Sequence, residues 1–287
     1  MSIVITGATG QLGRHVVEAL LQRNVPAGEI VAAGRSIEKL DGFAARGVQV
    51  RAMDYTDAAS VAQALEGASK VLLISGSEVG RRVDQHRTVI EAAKAAGVEL
   101  IAYTSIANAD STTMKLAAEH QATEAILKDS GVPFAILRNG WYLENYTEQL
   151  EGTLAQGALA GSAGEGKVSA ASRQDYAEAA AAVLVAGNQA GKVYELGGDH
   201  AFTLAELAQE ISTAANKTVA YQDLPASDFA GLLAGFGVPQ PFADILADCD
   251  LGIARGDLLV SGSDLRTLIG RPTTPMPDSV RSALAAV

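Results

Sequence analysis

Short apolar runs alternate with stretches of helical periodicity through the first half of the chain. Runs rich in Val, Ile, Leu and Ala predict strands over 2–5, 29–35, 48–54, 70–74, 99–105 and 132–138. Between them, apolar residues recur three and four positions apart, which predicts helices over 15–21, 36–46, 58–65, 82–96 and 115–129. Such alternation of strand and helix is typical of a parallel, doubly wound sheet with right-handed crossovers.

The second half of the chain is less regular. A helix over 176–186 and a strand over 193–196 are predicted to return to the sheet, followed by a helix over 202–215, a strand over 218–221 and short helices from 227 onward. We expect a core of residues 1–150, with 166–200 returning to it. A smaller C-terminal α/β lobe would comprise 151–165 and 201–287, and the substrate would lie in the cleft between the two.

The first predicted strand runs directly into a glycine-rich turn, Thr-Gly-Ala-Thr-Gly-Gln-Leu-Gly over 6–13, which opens the first helix. Gly7 lets the chain turn off the strand, and Gly10 leaves room for a pyrophosphate against the amides of the helix N-terminus. Gly13 lets the helix lie close to the sheet. Ordinary turns also use such glycines, but the place of this turn between the first strand and the first helix favours a dinucleotide-binding, Rossmann-like core.

The end of the second predicted strand indicates which dinucleotide binds. NAD enzymes usually carry an acidic residue there, which accepts hydrogen bonds from the adenosine ribose. This chain has Gly34-Arg35, and a guanidinium can pair with a 2′-phosphate by charge-assisted bonds. We therefore predict NADP, the alternative being that Arg35 is an ordinary solvated residue. After the fourth strand, Ser75, Gly76 and Ser77 either leave room for a nicotinamide ribose or form only a loop.

Composition narrows the class of partner. The chain has 22 basic and 33 acidic residues, a formal net charge of -11, and no basic cluster that would mark a nucleic-acid interface. Its longest apolar run, 179–186, is too short to span a bilayer, and because the chain opens directly on the first strand we expect no signal peptide. The single cysteine fits a reducing compartment. We expect a cytoplasmic protein with a small-molecule substrate and with neither nucleic-acid nor membrane partner; whether it forms a homodimer is left open.

The proton donor of ordinary short-chain dehydrogenases is missing. None of the seven tyrosines is followed by lysine four residues later, so the chain has no Tyr-x-x-x-Lys pair to protonate a substrate oxygen. Hydride delivery to a ketone needs such a donor, whereas a quinone gives an aromatic phenolate that water can protonate. Hydrogen bonds to the developing oxyanion would then supply much of the catalysis, and the candidates for them are Ser105, His120, Asn139 and Tyr142.

His15, His86 and His200 have no partners at metal-ligand spacing, so we expect no zinc site. His120 lies on the helix predicted after the fifth strand. It either faces the substrate cleft or is a surface histidine, and the sequence does not choose between these positions.

Segments 6–13, 34–35, 102–105, 120–124 and 137–146 together resemble the NmrA-like branch of the atypical short-chain dehydrogenases, and within it the bacterial NAD(P)H:quinone oxidoreductases of type 2. The similarity covers essentially the whole chain. The glycine turn is common to the superfamily, whereas Arg-Asn-Gly-Trp-Tyr at 138–142 is more specific. The resemblance implies a flavin-free enzyme that moves hydride from NADPH directly to quinones.

By matching positions, the resemblance also implies which residues contact NADPH. They are Gly7, Ala8, Thr9, Gly10, Gln11, Leu12, Arg35, Ser75, Gly76, Ser77, Asn139, Gly140, Trp141, Tyr142, Leu143 and Glu144. Asn139 is expected near the nicotinamide and the substrate. Relatives with lysine at the position of His120 reduce other conjugated substrates, so the histidine argues against a lysine-based mechanism here.

Two alternative functions share this fold and cofactor. A triphenylmethane dye reductase would differ only at the substrate pocket. A non-enzymatic, NmrA-like sensor would bind NADP without turnover and report the redox state to a protein partner.

Overall fold

A computed structural model describes residues 2–286 and contains a seven-stranded central sheet in the order β3-β2-β1-β4-β5-β6-β9. Neighbouring strands from β3 to β6 pair in parallel, which confirms the predicted Rossmann-like, doubly wound α/β fold. The strands of this sheet are β1 (Ser2–Ile5), β2 (Ile30–Gly34), β3 (Gln49–Ala52), β4 (Ala68–Leu73), β5 (Leu100–Ile106), β6 (Phe134–Asn139) and β9 (Lys192–Leu196).

Helices connect these strands. The first half of the chain contains α1 (Gln11–Gln22), α2 (Asp41–Ala44), α3 (Ala58–Ala64), α4 (Arg82–Ala95) and α5 (Ala117–Asp129). The second half contains α6 (Glu144–Thr147), α7 (Leu150–Gln156), α8 (Arg173–Val185), α9 (Leu204–Ala215), α10 (Ala226–Gly235), α11 (Gln240–Arg255), α12 (Asp264–Ile269) and α13 (Met276–Leu284). Two short 3-10 helices span Ala27–Glu29 and Ile37–Leu40.

All residues of β2 and β5 are buried. These strands can lie in the core because nearly every one of their side chains is apolar or hydrogen-bonded. Helix α1 buries one face, formed by Leu12, Val16, Val17 and Leu20, and packs against α8. Because successive side chains of a strand point to opposite faces, the burial of every residue in β2 and β5 means that the sheet is covered on both faces, as a parallel sheet requires. It leaves the carboxyl ends of the strands as the edge available to ligands.

The contacts divide the chain into two compact units. The first comprises Met1–Ile106, Glu119–Asn139 and Arg173–Tyr194; the second comprises Ala107–Ala118, Gly140–Ser172 and Glu195–Val287. These bounds differ from the predicted domains, because 107–118, 140–150, 166–172 and 195–200 belong to the second unit. The chain leaves the first unit directly after β5 and β6, where the alternation of strand and helix gives no sign of a change.

The second unit has two small sheets of its own. Strand β7 (Ala158–Gly161) pairs in parallel with β11 (Ala220–Asp223), and β8 (Lys167–Val168) pairs antiparallel with β10 (Phe202–Thr203). Helix α9 begins with a capping box, in which Thr203 and Glu206 bond each other's backbone amides. Strands β8 and β10 have two residues each, too few for their pattern to be distinguished from loop, and β7 (Ala-Leu-Ala-Gly) has no β-branched or aromatic side chain that would mark it as a strand.

Two predicted helical regions differ from the structure. The region predicted as a helix over 36–46 forms a 3-10 turn and the four-residue α2. Gly42 within α2 has low helix propensity, and the N-cap residues Ser36 and Leu40 make no side-chain capping bond. The region after 227, predicted as short helices, contains the sixteen-residue α11. Its prolines lie at the first helical positions, where proline is tolerated, and therefore start this helix. None of the helices described for residues 2–286 has the length and apolar character needed to cross a membrane.

Candidate functional site

The turn between β1 and α1 is shaped by its glycines. Gly7 adopts a left-handed conformation, with φ of 60°. A Cβ at Gly13 would lie 2.5 Å from the Gly7 carbonyl oxygen and 2.6 Å from the Ala8 Cα, so only glycine allows α1 to begin this close to the turn. Gly10 is exposed at the N-cap of α1 and, as glycine, has no side chain of its own to cap the helix amides. The N-terminus of α1 can therefore receive an anion.

Arg35 follows β2 at the same edge of the sheet. Its side chain is 65% exposed, and its Nη1 lies 3.2 Å from Oε1 of Glu78. The preceding Gly34 lies against the glycine turn, because a Cβ there would come within 2.8 Å of the Thr9 side chain. Strand order explains this contact, since β2 is the neighbour of β1. The predicted phosphate-binding arginine thus stands beside the predicted pyrophosphate turn.

The segment after β4 lies on the other side of the turn. Its Ile74 N–H donates to Thr6 Oγ1 (3.1 Å), and the Ile74 carbonyl accepts from the Tyr55 hydroxyl (2.9 Å). The Thr6 hydroxyl completes this triangle with a hydrogen bond to the Tyr55 oxygen. Ser75 N–H donates to Thr104 Oγ1 (2.9 Å). Thr6 and Ile74, which directly precede the predicted cofactor segments 7–12 and 75–77, therefore hold these two segments beside each other.

Ser105 is part of a buried ionic network. Its hydroxyl donates to Glu124 Oε1 (2.6 Å), and the Arg138 guanidinium donates to both oxygens of the same carboxylate, at 2.9 and 2.7 Å. The side chains of Glu124 and Arg138 are 3% and 4% exposed. Burial raises the pKa of the Glu124 carboxyl, but the bonds from Arg138 and Ser105 outweigh it and hold that pKa below its usual value. The serine hydroxyl proton is thus committed inside the core.

His120 is not a surface histidine, because it is only 6% exposed. Its Nδ1 lies 2.8 Å from the hydroxyl of Tyr103, a fully buried residue of β5. Burial, and the nearby Arg82 charge, lower the pKa of His120 well below its usual value, so the ring is neutral at physiological pH. The ring therefore lies in the interior of the first unit, which contradicts the surface alternative for His120.

Asn139 ends β6, opposite Ile106 of β5. It is 4% exposed, and its Oδ1 is a buried oxygen that finds no hydrogen-bond partner among residues 2–286. A buried carbonyl that lacks a partner costs free energy unless a ligand or water satisfies it. The Asn139 Oδ1 is therefore available to a ligand that donates a hydrogen bond there.

The remaining predicted residues, 140–144, belong to the second unit. Gly140 N–H donates to the Leu196 carbonyl (2.8 Å). Tyr142 forms a bridge with Ala171, and Leu143 N–H donates to the Ala171 carbonyl (3.0 Å). These bonds fix the backbone of 140–143, with Trp141 and Tyr142 half-buried, and α6 begins directly afterwards at Glu144.

Sequence reasoning missed the side chains that hydrogen-bond the backbone of residues 74–76, after β4. They are Thr6, Tyr55, Arg82, His86 and Thr104, and their partners lie between 6 and 68 residues away along the chain. Only Thr6, directly before Gly7, gave a local signal. Within residues 2–286, no group of His, Cys, Asp and Glu is arranged to hold a metal ion.

Comparison with known families agrees with this geometry. The model of the NmrA-like family matches residues 1–250. The chain belongs to the NmrA-like family. It is 50% identical over 278 residues to Quinone oxidoreductase 2 of Escherichia coli (strain K12), covering 97% of each chain. The family resemblance of segments such as 137–146 is thereby confirmed.

Solved structures of relatives have the same fold. The Escherichia coli NADPH-dependent quinone oxidoreductase in complex with NADPH has a TM-score of 0.94 and 50% identity, covering 98% of this chain and 99% of that one. The Citrobacter sp. triphenylmethane reductase complexed with NADP(H) has a TM-score of 0.93 and 38% identity, covering 98% of this chain and all of the other.

Proposed function

We infer that this NmrA-like chain is an NADPH-dependent quinone reductase that transfers hydride from NADPH to quinones without a flavin. The observation that carries this inference is 50% identity, over 97% of both chains, to Quinone oxidoreductase 2 of Escherichia coli. The NADPH complex of the corresponding structure supports the cofactor. The absence of a Tyr-x-x-x-Lys pair supports an acceptor that water can protonate after hydride transfer.

The first unit has the features that NADPH binding needs. The pyrophosphate would bind the amides at the N-terminus of α1, which Gly10 leaves uncovered, and Arg35 would pair with the 2′-phosphate. Because β1 lies between β2 and β4, a dinucleotide that crosses the glycine turn from Arg35 reaches Ser75–Ser77 with its nicotinamide half. The glycine-rich cradle supports this assignment, since a side chain at Gly13 would collide with the turn.

When bound, NADPH supplies the hydride. Asn139 is proposed to orient the reactants, because its buried Oδ1 can accept a hydrogen bond from the nicotinamide amide or from a hydroquinone hydroxyl. Tyr142 is likewise proposed to donate a hydrogen bond to the oxyanion that develops on the substrate. Ser105 and His120 stabilise the first unit through Glu124 and Tyr103, and we propose for them an indirect role at most.

A triphenylmethane dye is the second candidate acceptor, because the chain is 38% identical to the Citrobacter sp. triphenylmethane reductase. Higher identity to the quinone reductase favours the quinone. We further propose a cytoplasmic location, which the single cysteine supports, and leave monomer and homodimer as alternatives.

Competing acceptors test this proposal. Purified protein without added flavin would be supplied with NADPH and either a benzoquinone or crystal violet, and kcat/KM would be measured for each acceptor. We expect the benzoquinone to have the higher kcat/KM. A higher value for the dye would identify a dye reductase, and tight NADPH binding without turnover of either acceptor would identify a sensor.

A further inference from the structure

The backbone of residues 74–76 is held almost entirely by side chains. Beyond the bonds from Thr6, Tyr55 and Thr104 described above, the Gly76 N–H donates to His86 Nε2 (2.9 Å), and the Gly76 carbonyl accepts from Arg82 Nε (2.6 Å). His86 and Arg82 lie four residues apart on one face of α4, and both are buried. A loop whose peptide groups are bonded in this way has a single defined backbone conformation.

The packing leaves little room for this loop to move. A Cβ at Gly76 would lie 3.0 Å from Gln85 Oε1 and 3.9 Å from His86 Nε2, so the loop rests directly on α4. The His86 ring also packs edge-on against Tyr55 and Tyr103, with ring centroids 6.3 and 5.4 Å apart. The imidazole position is therefore fixed from several sides.

The hydrogen bonds determine the protonation state of His86. Its Nε2 accepts the Gly76 N–H and so carries no proton. Its Nδ1 lies 3.0 Å from Thr123 Oγ1, whose own hydroxyl donates to the Glu119 carbonyl (2.8 Å), so Nδ1 is the donor to Thr123. Burial, and the nearby Arg82 charge, lower the pKa of His86 to about 3, which keeps this neutral tautomer at physiological pH.

We propose that His86 is a positioning residue for NADPH, which acts through the Gly76 amide to fix the loop that receives the nicotinamide half of the cofactor. The proposal rests on the proposed function for the identity of the ligand. It assigns His86 no contact with the cofactor. Because β2 and β4 lie on opposite sides of β1, His86 acts on one half of the dinucleotide site and Arg35 on the other.

This separation provides a direct test. The dissociation constants of NADPH and of 2′,5′-ADP, which carries the adenosine half with its 2′-phosphate but no nicotinamide, would be measured for wild type, His86→Ala and His86→Gln. We expect His86→Ala to weaken NADPH about tenfold, the scale of one buried hydrogen bond, while 2′,5′-ADP changes less than about twofold. Glutamine presents an amide oxygen near the position of Nε2 and is expected to restore most of the NADPH affinity.

A purely structural role would weaken both ligands to the same extent, and that result, or an unchanged NADPH affinity in folded His86→Ala, would overturn the proposal. If His86→Ala does not fold, Thr123→Val serves instead, since it keeps the imidazole and removes the acceptor of its Nδ1–H. We expect that variant to weaken NADPH and leave 2′,5′-ADP unchanged. These binding measurements contain no quinone. If wild type binds NADPH but a separate assay finds no quinone turnover, the proposed reaction is disproved and the His86 test still stands.

Discussion

Arg35 Nη1 lies 3.2 Å from Oε1 of Glu78, although the two residues follow different strands of the sheet. Glu78 Oε2 also accepts from Gln85 Nε2 (3.1 Å) and lies 3.5 Å from Arg81 Nη1. The guanidinium of Arg35 is thus held at the carboxyl edge of β2 by an acidic partner. A 2′-phosphate binding there would compete with that partner for the same charge.

Replacing Arg35 with glutamate tests the phosphate assignment. Arg35→Glu exchanges attraction for repulsion, so we expect it to weaken NADPH about 100-fold and NADH less than about threefold. Dissociation constants for both cofactors, measured at one ionic strength, give the comparison. Equal losses for NADPH and NADH would contradict the phosphate role.

Glu78→Gln is the matched control for this variant. It removes the competing carboxylate but keeps the size of the side chain, so NADPH should bind about two- to fivefold more tightly, the scale of an exposed ion pair. NADH affinity should not change. The opposite sign of the two effects on NADPH distinguishes an electrostatic cause from a general disturbance of the loop.

Asn139→Ala should separate activity from stability. Its Oδ1 has no partner within the described protein, so we expect its removal to change the free energy of unfolding by less than about 1 kcal/mol. Quinone reduction should lose at least about tenfold in kcat/KM, as expected when a group that orients the reactants is removed. Steady-state kinetics measures the loss of kcat/KM, and thermal unfolding measures the change in stability. Unchanged kinetics would show that Asn139 does not act in the site.

The buried pair of Arg138 and Glu124 should be essential for stability. Glu124→Gln leaves the guanidinium uncompensated, which costs about 3–5 kcal/mol for a buried ion pair. Lys128→Ala removes a half-exposed partner of the same carboxylate and should cost less than about 1 kcal/mol. Denaturant unfolding of both variants gives the comparison. Similar losses in the free energy of unfolding would show that the pair of Arg138 and Glu124 contributes no more to stability than the pair of Lys128 and Glu124.

Stability should fall on mild acidification because of the buried histidines. His86 has a folded pKa of about 3 against an ordinary value of 6.5, so the unfolded chain binds more protons between these values. The stability contributed by His86 is therefore present above pH 6.5 and is lost as the pH falls toward 3. The loss reaches at most about 1.4 kcal/mol per pH unit for each histidine, and His120 contributes in the same direction.

The difference between wild type and His86→Gln isolates this contribution from other groups. The contribution of Asp250 to the pH dependence of stability has the opposite sign. Burial raises its pKa to about 6, so on acidification the folded state binds a proton before the unfolded chain does and is stabilised. Urea unfolding of both proteins at several pH values between 7 and 5 measures the difference. Parallel pH profiles would contradict a neutral, buried His86.

The sequence predicted the parts of the site that depend on neighbours along the chain. The order strand, glycine turn and helix identified 6–13, because each step of that order is visible locally. Arg35 followed from its place at the end of the second strand. The alternation of strand and helix was sufficient for the parallel sheet, since few other topologies accommodate it.

What the sequence did not predict depends on distant partners. The hydroxyl of Ser105 is committed to Glu124, 19 residues away, and His120 to Tyr103, 17 residues away. His86 offered no metal-ligand partners, and its bond to Gly76 follows from how α4 packs beneath the loop. The unit bounds were also not evident, because two of them fall inside regular elements, between Ala118 and Glu119 in α5 and between Tyr194 and Glu195 in β9.

The most direct test of the proposed function is flavin-free turnover. Protein purified without added flavin, and verified to contain none, would be mixed with NADPH and a benzoquinone while NADPH loss and hydroquinone formation are both followed. We predict one hydroquinone for each NADPH consumed, with NADPH preferred to NADH. NADPH binding with no hydroquinone formed, or turnover that requires added flavin, would contradict direct hydride transfer to a quinone.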